Sequence, residues 1–150
     1  MTRIRTKRLS VDDRDLARRT FQLMVEVFEE ESASLSDRYL DQLLSGRSFW
    51  AFAALLGDDV VGGITAHTLP MTRTEASEVF IYDIAVHLDY QRRGIGRELV
   101  SALRAGAAAA GIYDIFVPAD NDDTHALDFY RRLGAEPSPV TFFTFSESKQ

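Results

Sequence analysis

The chain has 150 residues, of which 45% are hydrophobic and 27% charged, the size and composition of one globular domain. Its formal net charge of -6 argues against nucleic acid as the main ligand, because a phosphate backbone repels an acidic surface. It has no cysteine, which excludes disulfides and a cysteine nucleophile, and its three histidines, at positions 67, 87 and 125, lack metal-ligand spacing. We therefore expect a single domain over residues 1–150 without a metal site. No apolar run spans a bilayer and no signal peptide is evident, so we expect a cytoplasmic location without membrane partners.

The apolar pattern predicts strands and helices in the order of a mixed α/β domain. The expected strands are residues 3–9, 48–56, 60–69, 77–86, 112–117 and 140–145. The expected helices are residues 12–30, capped by Asp12 or Asp13, 35–44, capped by Ser36, 98–110, and a short one closed by Gly134. Because Gly57-Asp58-Asp59 joins two strands in a hairpin while later strands alternate with helices, we expect a mixed, mostly antiparallel sheet with helices on both faces.

The turn Gln91-Arg92-Arg93-Gly94-Ile95-Gly96-Arg97 links an apolar strand to a helix. Such a turn leaves backbone N–H groups unpaired at the positive end of the helix dipole, and arginines add charge-assisted donors that suit phosphate oxygens. The spacing is neither that of a P-loop, which needs a lysine here, nor that of a Rossmann turn, which needs a third glycine. The alternative is an ordinary turn with solvated arginines. We favour a site for a diphosphate.

Two motifs identify a family resemblance. The Gln-x-x-Gly-x-Gly pattern of residues 91–96 resembles the acetyl-CoA pyrophosphate loop of the GCN5-related N-acetyltransferase (GNAT) superfamily. Asp128-Phe129-Tyr130-Arg131-Arg132-Leu133-Gly134 is similar to its second signature, a short helix that carries a tyrosine and ends in Leu-Gly. The resemblance covers nearly the whole chain. It implies the α/β GNAT fold, acetyl-CoA as co-substrate, and a bulge that splays strand 77–86 from strand 112–117.

The resemblance also implies residue roles. The residues expected to bind the cofactor are Ile84, Ala85 and Val86 along pantetheine, and Gln91, Arg92, Arg93, Gly94, Ile95, Gly96 and Arg97 around the diphosphate. Tyr130 matches the family's general acid, which protonates the departing thiolate. The alternative for Tyr130 is a core tyrosine on an amphipathic helix.

Asp83 stands out from the residues themselves, because aspartate is depleted in strands and costly to bury in so apolar a segment. Burial raises the pKa of a carboxyl, which suits a base that accepts the proton of an amine, directly or through a water. Glu78 is the rival base. The structural alternative for Asp83 is an ion pair with Arg92 or Arg93. We favour Asp83 as the catalytic base.

Further stretches resemble the type I aminoglycoside 3-N-acetyltransferases: residues 82–86 with the glycine turn, 119–123, 126–130, 4–6, and 60–63 with Leu69-Pro70. The resemblance implies acetylation of the 3-amino group of the 2-deoxystreptamine ring in gentamicin-like antibiotics, and hence resistance. A polycation needs several carboxylates around it. The residues expected to bind it are Glu78, Tyr82, Asp83, Asp120, Asp122 and Asp123. Helix capping is the alternative for the aspartate cluster, and a solvated face is the alternative for residues 29–31.

Two other functions stay open. One is acetylation of a different cationic amine, such as a polyamine, another amino sugar or a peptide N-terminus. The other is an acyl-CoA-binding sensor without turnover. Because no cysteine exists to carry an acyl group, we expect direct transfer within a ternary complex. The last strand, residues 140–145, buries either a homodimer edge or the core.

Overall fold

The structure is a computed structural model that describes residues 3–148. The chain forms two compact units, of which the first runs to Pro118 and the second begins at Ala119. The first contains β1 (Ile4–Arg8), α1 (Arg14–Val27), α2 (Asp37–Ser45), β2 (Phe49–Leu56), β3 (Asp59–Pro70), β4 (Ser77–Val86), α3 (Ile95–Ala109) and β5 (Asp114–Phe116), with short 3-10 helices at Val11–Asp13 and Leu88–Tyr90. The second contains α4 (Thr124–Arg132).

The sheet has the strand order β1-β2-β3-β4-β5, in which neighbours are antiparallel except for the parallel pair β4 and β5. A parallel pair needs a crossover, which α3 supplies. Helices cover both faces: a Cβ atom added at Gly62 would lie 3.1 Å from Ile95 of α3, and one at Gly63 would lie 2.5 Å from Thr20 of α1. The predicted mixed, mostly antiparallel sheet flanked by helices is therefore confirmed.

Local sequence signals set several element ends. Ser36 caps α2 by accepting a hydrogen bond from the Tyr39 N–H group at 3.1 Å, and Gly46 follows its end, as predicted. Leu56 pairs with Asp59 across a tight hairpin turn, in which Gly57 has a φ of 62°. A positive φ at the first turn residue matches the twist of the flanking strands, which explains why glycine occupies this position.

Helix α1 is shorter than its sequence predicts at both ends. Asp13 closes a capping box with Ser10 that starts a 3-10 helix, so the α-helix begins only at Arg14. Glu29 adopts a φ of 55°, and the Glu30 N–H group bonds to the Val25 carbonyl at 3.0 Å. This is the hydrogen-bond pattern with which helices end at a left-handed residue, so the prediction of a helix through Glu30 was wrong.

The core beneath α1 and α2 is aliphatic. Alternate residues of β2 point into it, together with apolar positions of the two helices. Its buried members are Leu9, Ala17, Leu40, Leu44, Ala51, Ala53 and Leu55. This packing fixes α1 against the sheet, which positions the face on which the candidate site lies. No helix among residues 3–148 has the length and apolar character needed to cross a membrane.

The prediction of a strand at residues 140–145 was wrong. None of these residues has strand structure, and Val140, Phe142, Phe143 and Phe145 are exposed. The aromatic content favours a strand only where backbone groups find a partner edge, and that pairing is not a local property. Strand β5 is also shorter than the predicted 112–117, because Ile112 still closes the end of α3 by donating to the Ala107 carbonyl at 2.8 Å.

Candidate active site

Strand β4 carries a bulge at Tyr82. Ile81 pairs with Ala66 and Asp83 pairs with Thr65, so the register leaves Tyr82 without a partner on β3. A bulge bends a strand and increases its local twist, and such irregularities are common beside active sites. At this bulge the register of β4 with β3 shifts by one residue, and the pairing of β4 with β5 stops just before it.

On one side, β4 separates from β5. The parallel ladder ends at the pair Phe80 and Phe116, just before the bulge, whereas pairing with β3 continues to Val86. Among the described residues, the part of β4 that includes Ile84, Ala85 and Val86 has no strand partner on this side. Its free backbone groups can pair with an extended ligand as a further strand would. The splayed, bulged strand expected from the sequence is confirmed.

On the other side, the bulge changes which residues share a face. Thr65 and His67 point to the same face of β3, so their partners Asp83 and Phe80 share that face of β4. The Tyr82 ring lies on this face too, because its centroid is 5.9 Å from that of His67 and 6.0 Å from that of Phe80. The face is the one that α1 covers, since Gly63, in phase with Thr65, lies against Thr20. The side chains of two consecutive residues, the aromatic Tyr82 and the acidic Asp83, thus point to the same face of the sheet.

Asp83 has the electrostatics of a base. Burial raises the pKa of the Asp83 carboxyl above its ordinary value, and the nearby Glu30 carboxylate raises it further. The predicted alternative, an ion pair with Arg92 or Arg93, is not formed: within residues 3–148 no arginine or lysine pairs with Asp83. A carboxyl with a raised pKa and no cation beside it is ready to accept a proton or to attract an ammonium group.

Glu78, the rival base, lies on the same face of β4 but nearer its start. It is opposite Leu69 on β3 and opposite Asp114 on β5, in phase with Phe80. Because Glu78 precedes the bulge, it belongs to the part of β4 that is still paired with β5. Asp83 is the carboxylate at the start of the unpaired part.

The turn after β4 has two left-handed backbone positions, of which the one at Arg92 is strained. Arg92 has a φ of 65° and Gly94 a φ of 81°. The left-handed conformation costs a residue with a side chain about 1–2 kcal/mol, and such strain concentrates at functional sites. The Gln91 side-chain amide donates to the Val86 carbonyl at 3.2 Å, which ties the turn to the end of β4.

The turn opens onto the start of α3. Gly94 is the N-cap residue and offers no side chain to accept a hydrogen bond. The Glu98 N–H group makes the first helical bond, to the Gly94 carbonyl at 3.0 Å. Helix geometry therefore leaves the N–H groups of Ile95, Gly96 and Arg97 without intrahelical partners, at the positive end of the dipole. Together with the exposed Arg92 and Arg93, these donors suit a diphosphate.

The second unit contains the remaining candidates. Burial, with a contribution from Asp123, raises the pKa of Tyr130 to about 12. Asp123 caps α4 by accepting from the Ala126 N–H group at 3.0 Å, which is the capping alternative that the sequence left open. Asp120 and Asp122 are exposed. The roles of these residues in catalysis and acceptor binding stay predictions.

Sequence reasoning missed the aromatic side chains around Tyr82. His67, Phe80 and Phe116 form a continuous row with it, with neighbouring ring centroids 5.0–6.0 Å apart. One signal for Phe80 was in the sequence: aromatic Phe80 and Tyr82 alternate with aliphatic Val79 and Ile81, so they share the face opposite the aliphatic pair. For His67 no local signal exists, because its position depends on the β3–β4 register.

Comparisons with known proteins identify the family to which this fold belongs. The family model described as acetyltransferase (GNAT) family matches residues 14–135. The aminoglycoside acetyltransferase meta-AAC0020, from an uncultured soil metagenomic sample, is 35% identical over 96% of this chain and 97% of its own, with a TM-score of 0.88. It has also been solved in complex with sisomicin. The aminoglycoside acetyltransferase HMB0005, likewise from an uncultured soil metagenomic sample, is 30% identical over 97% of this chain and 99% of its own, with a TM-score of 0.90.

AAC(6')-Iy shares the fold at 14% identity, over 97% of this chain and 99% of its own, with a TM-score of 0.83. A comparison with curated protein sequences gives no match. The chain belongs to the GNAT acetyltransferase family, as its sequence predicted. Acetyl-CoA is the co-substrate of this family, and AAC(6')-Iy has been solved with CoA.

The residues of this chain fit that co-substrate. The donors at the start of α3 and the arginines of the turn suit its diphosphate, and the unpaired part of β4 suits its extended pantetheine arm. When bound, acetyl-CoA supplies an activated acetyl group. The protein's part is to align the thioester, receive the proton of the amine and stabilise the departing thiolate.

Proposed function

We propose that this enzyme acetylates aminoglycosides, at the 3-amino group of the 2-deoxystreptamine ring of gentamicin-like compounds, and thereby confers resistance to them. The observation that carries the proposal is the position of Asp83, a carboxyl with a raised pKa at the point where β4 leaves β5. The similarity to two aminoglycoside acetyltransferases at 30% identity or more supports the substrate class. The 3-position follows from the sequence resemblance to type I enzymes.

Asp83 is the proposed base. It accepts a proton from the ammonium group of the acceptor, which frees the nitrogen lone pair to attack the thioester carbonyl. The C–N bond forms, the C–S bond breaks, the electron pair leaves on the thiolate, and the nitrogen loses its second proton to solvent as the neutral amide forms. Glu78 on the same face of β4, together with Glu30, whose charge reaches Asp83, attracts the polycation to this place.

Tyr130 is the proposed acid, which returns a proton to the thiolate. Its pKa of about 12 keeps the phenol protonated at neutral pH, so the donor is always present. The raised pKa also makes Tyr130 a weaker acid than an ordinary tyrosine. We therefore propose that its O–H group donates a hydrogen bond to the developing thiolate as the C–S bond breaks, and that its proton passes to the sulfur as the phenol regains one from solvent. No cysteine is present to carry an acyl group, so in this proposal acetyl passes directly between the two substrates.

The test is CoA release measured against a panel of amines, with the acetylated nitrogen of each product located by NMR. The panel contains gentamicin, sisomicin and fortimicin, with spermidine and an alanyl peptide as other cationic amines. Acetylation of the 3-amino group of an aminoglycoside is the expected result. Turnover of spermidine or peptide without any aminoglycoside would reject the substrate, and acetyl-CoA binding without CoA release on any amine would reject the enzyme.

We also propose a homodimer in the cytoplasm, where acetyl-CoA is available. The support is the exposure of three phenylalanines, Phe142, Phe143 and Phe145, at 70%, 84% and 95% within one short segment. Contiguous exposed apolar side chains of this kind mark protein interfaces. Light scattering with size exclusion should give a dimer mass for the wild type and a monomer mass for Phe143→Ser. A wild-type monomer at assay concentration would reject this assembly.

A further inference from the structure

Tyr82 is held by its neighbours but remains open to solvent. Its side chain is 64% exposed. Phe80 stacks with it at an interplanar angle of 30°, and His67 meets it edge-on at 82°. The row continues on both sides, with Phe49 5.4 Å from His67 and Phe116 5.0 Å from Phe80. A large exposed ring fixed in this way loses little conformational entropy when a ligand packs on it.

The row lies directly beside carboxylates. Asp83 follows Tyr82 in the chain and shares its face, and Glu78 lies on the same face of β4. Neighbouring Cα atoms are about 3.8 Å apart, so the ring and the carboxylate start from adjacent points on the same face of the strand. The ligand that fits both is a saturated ring that carries an ammonium group. Its C–H bonds, polarised by the nearby charge, face the negative surface of the aromatic ring.

We infer that Tyr82 is a specificity-determining residue on which the acceptor's ring packs, and that it selects amines borne on a saturated ring over linear amines. The inference rests on the proposed acetyl transfer at Asp83, and it explains which kind of amine is brought there. A linear polyamine offers the carboxylates the same charge but has no ring face to cover Tyr82. The bulge makes the arrangement, because regular alternation would put neighbouring side chains on opposite faces.

The experiment compares Tyr82→Ala, Tyr82→Leu and Tyr82→Phe with the wild type. Initial rates of CoA release are measured with sisomicin and 2-deoxystreptamine as ring amines and with spermidine as a linear amine. We expect Tyr82→Ala and Tyr82→Leu to raise KM for ring amines about tenfold while kcat and the KM for acetyl-CoA stay within about twofold. Tyr82→Phe should keep the wild-type KM, since the ring and not the hydroxyl makes the contact. The spermidine KM should not change.

The matched control is Tyr113→Ala, which removes another tyrosine, 80% exposed, that makes no contact in the aromatic row. This variant should keep every constant. A second readout is independent of turnover: saturation of the protein's aromatic protons should transfer to ring C–H protons of bound sisomicin in the wild type and Tyr82→Phe, and fall in Tyr82→Leu. Since Tyr82 is mostly exposed, all three variants should fold.

The outcomes separate the inference from the proposed function. If aminoglycosides are acetylated but Tyr82→Ala keeps their wild-type KM, the inference fails and the function stands. If only another ring amine is acetylated and Tyr82→Ala raises its KM, the inference stands and the function fails. A wild type that prefers spermidine overturns both. A Tyr82→Ala variant whose oligomeric mass differs from that of the wild type identifies the row as a protein interface and also overturns the inference.

Discussion

Gly94 offers a quantitative test of the diphosphate site. Its φ of 81° is a conformation that alanine reaches only at a cost, and an added Cβ atom would meet nothing within 4 Å. The penalty of Gly94→Ala is therefore conformational and not steric, about 1–2 kcal/mol. If the turn relaxes in the free protein to escape this strain, acetyl-CoA has to restore the strained form on binding. The dissociation constant then rises by the same free energy, about five- to thirtyfold.

The chain contains a matched control at the other end of the same helix. Gly111 has a φ of 80°, and a Cβ atom there would also meet nothing within 4 Å. Gly111→Ala therefore carries the same backbone penalty without touching the turn. Urea unfolding should show that Gly111→Ala lowers the free energy of unfolding by about 1–2 kcal/mol, while the acetyl-CoA affinity of this variant stays at the wild-type value.

Calorimetric titration with acetyl-CoA measures the affinity, and acetyl-pantetheine serves as a donor that lacks the diphosphate. Gly94→Ala should weaken acetyl-CoA binding and leave kcat/KM for acetyl-pantetheine unchanged. Two results contradict the reasoning: a wild-type dissociation constant for Gly94→Ala, or an equal loss for both donors. A wild-type dissociation constant together with unchanged stability in urea would show that the turn does not hold the diphosphate in this conformation, and an equal loss for both donors would show that the loss comes from the general fold.

Three further outcomes follow from the site. Asp83→Asn should lower kcat at neutral pH by a factor of about a hundred to ten thousand and should raise the melting temperature, because burial and Glu30 disfavour the charged carboxylate. The sign of this stability gain follows from the pKa of Asp83, which is raised on folding. The gain is largest at pH values above the raised pKa and vanishes well below pH 3.8, where Asp83 is protonated in both the folded and the unfolded state. Melting temperatures measured across pH check this dependence. Tyr130→Phe should lower kcat with little change in the acetyl-CoA dissociation constant. Wild-type rates should show no loss from ionisation of Tyr130 up to about pH 10, because its pKa is about 12. A rate loss near pH 9 that Tyr130→Phe abolishes would contradict this assignment. Glu29→Gly should relieve the left-handed strain and raise the free energy of unfolding by up to about 1 kcal/mol in urea, and a lower value would show that the Glu29 side chain itself stabilises the turn.

The sequence predicts the features that depend on neighbours along the chain. Ser36, Gly57 and Gly134 mark a cap, a hairpin turn and a helix end, and each signal is contained in a few residues. The two wrong predictions lack such a local signal. The strand expected at residues 140–145 needs a partner edge, and the end of α1 depends on Glu29, a residue type that gives no warning of a left-handed conformation.

Asp83, the candidate base, depends both on a local sequence signal and on the pairing of β3 with β4. The apolar neighbours of Asp83 alone mark it as unusual in a strand. The face of the sheet to which its side chain points, however, depends on the position of the extra residue in the bulge, which is Tyr82. If Tyr82 paired with Thr65, Asp83 would stand opposite Ile64. That residue is in phase with Gly62, which lies against Ile95 of α3. A carboxylate there would meet aliphatic packing, where it is too costly to ionise.

The bulge at Tyr82 therefore combines two features at one residue. It lies just after the last pair with β5, where the backbone of β4 becomes free for an extended ligand, and it turns Asp83 to the face of α1. The carboxylate and the free strand edge therefore begin at the same place. Catalysis needs them together, since a base is useful only beside the bond that it helps to break. The register of β4, more than the identity of any one side chain, thus creates the place in the sheet at which we propose acetyl transfer.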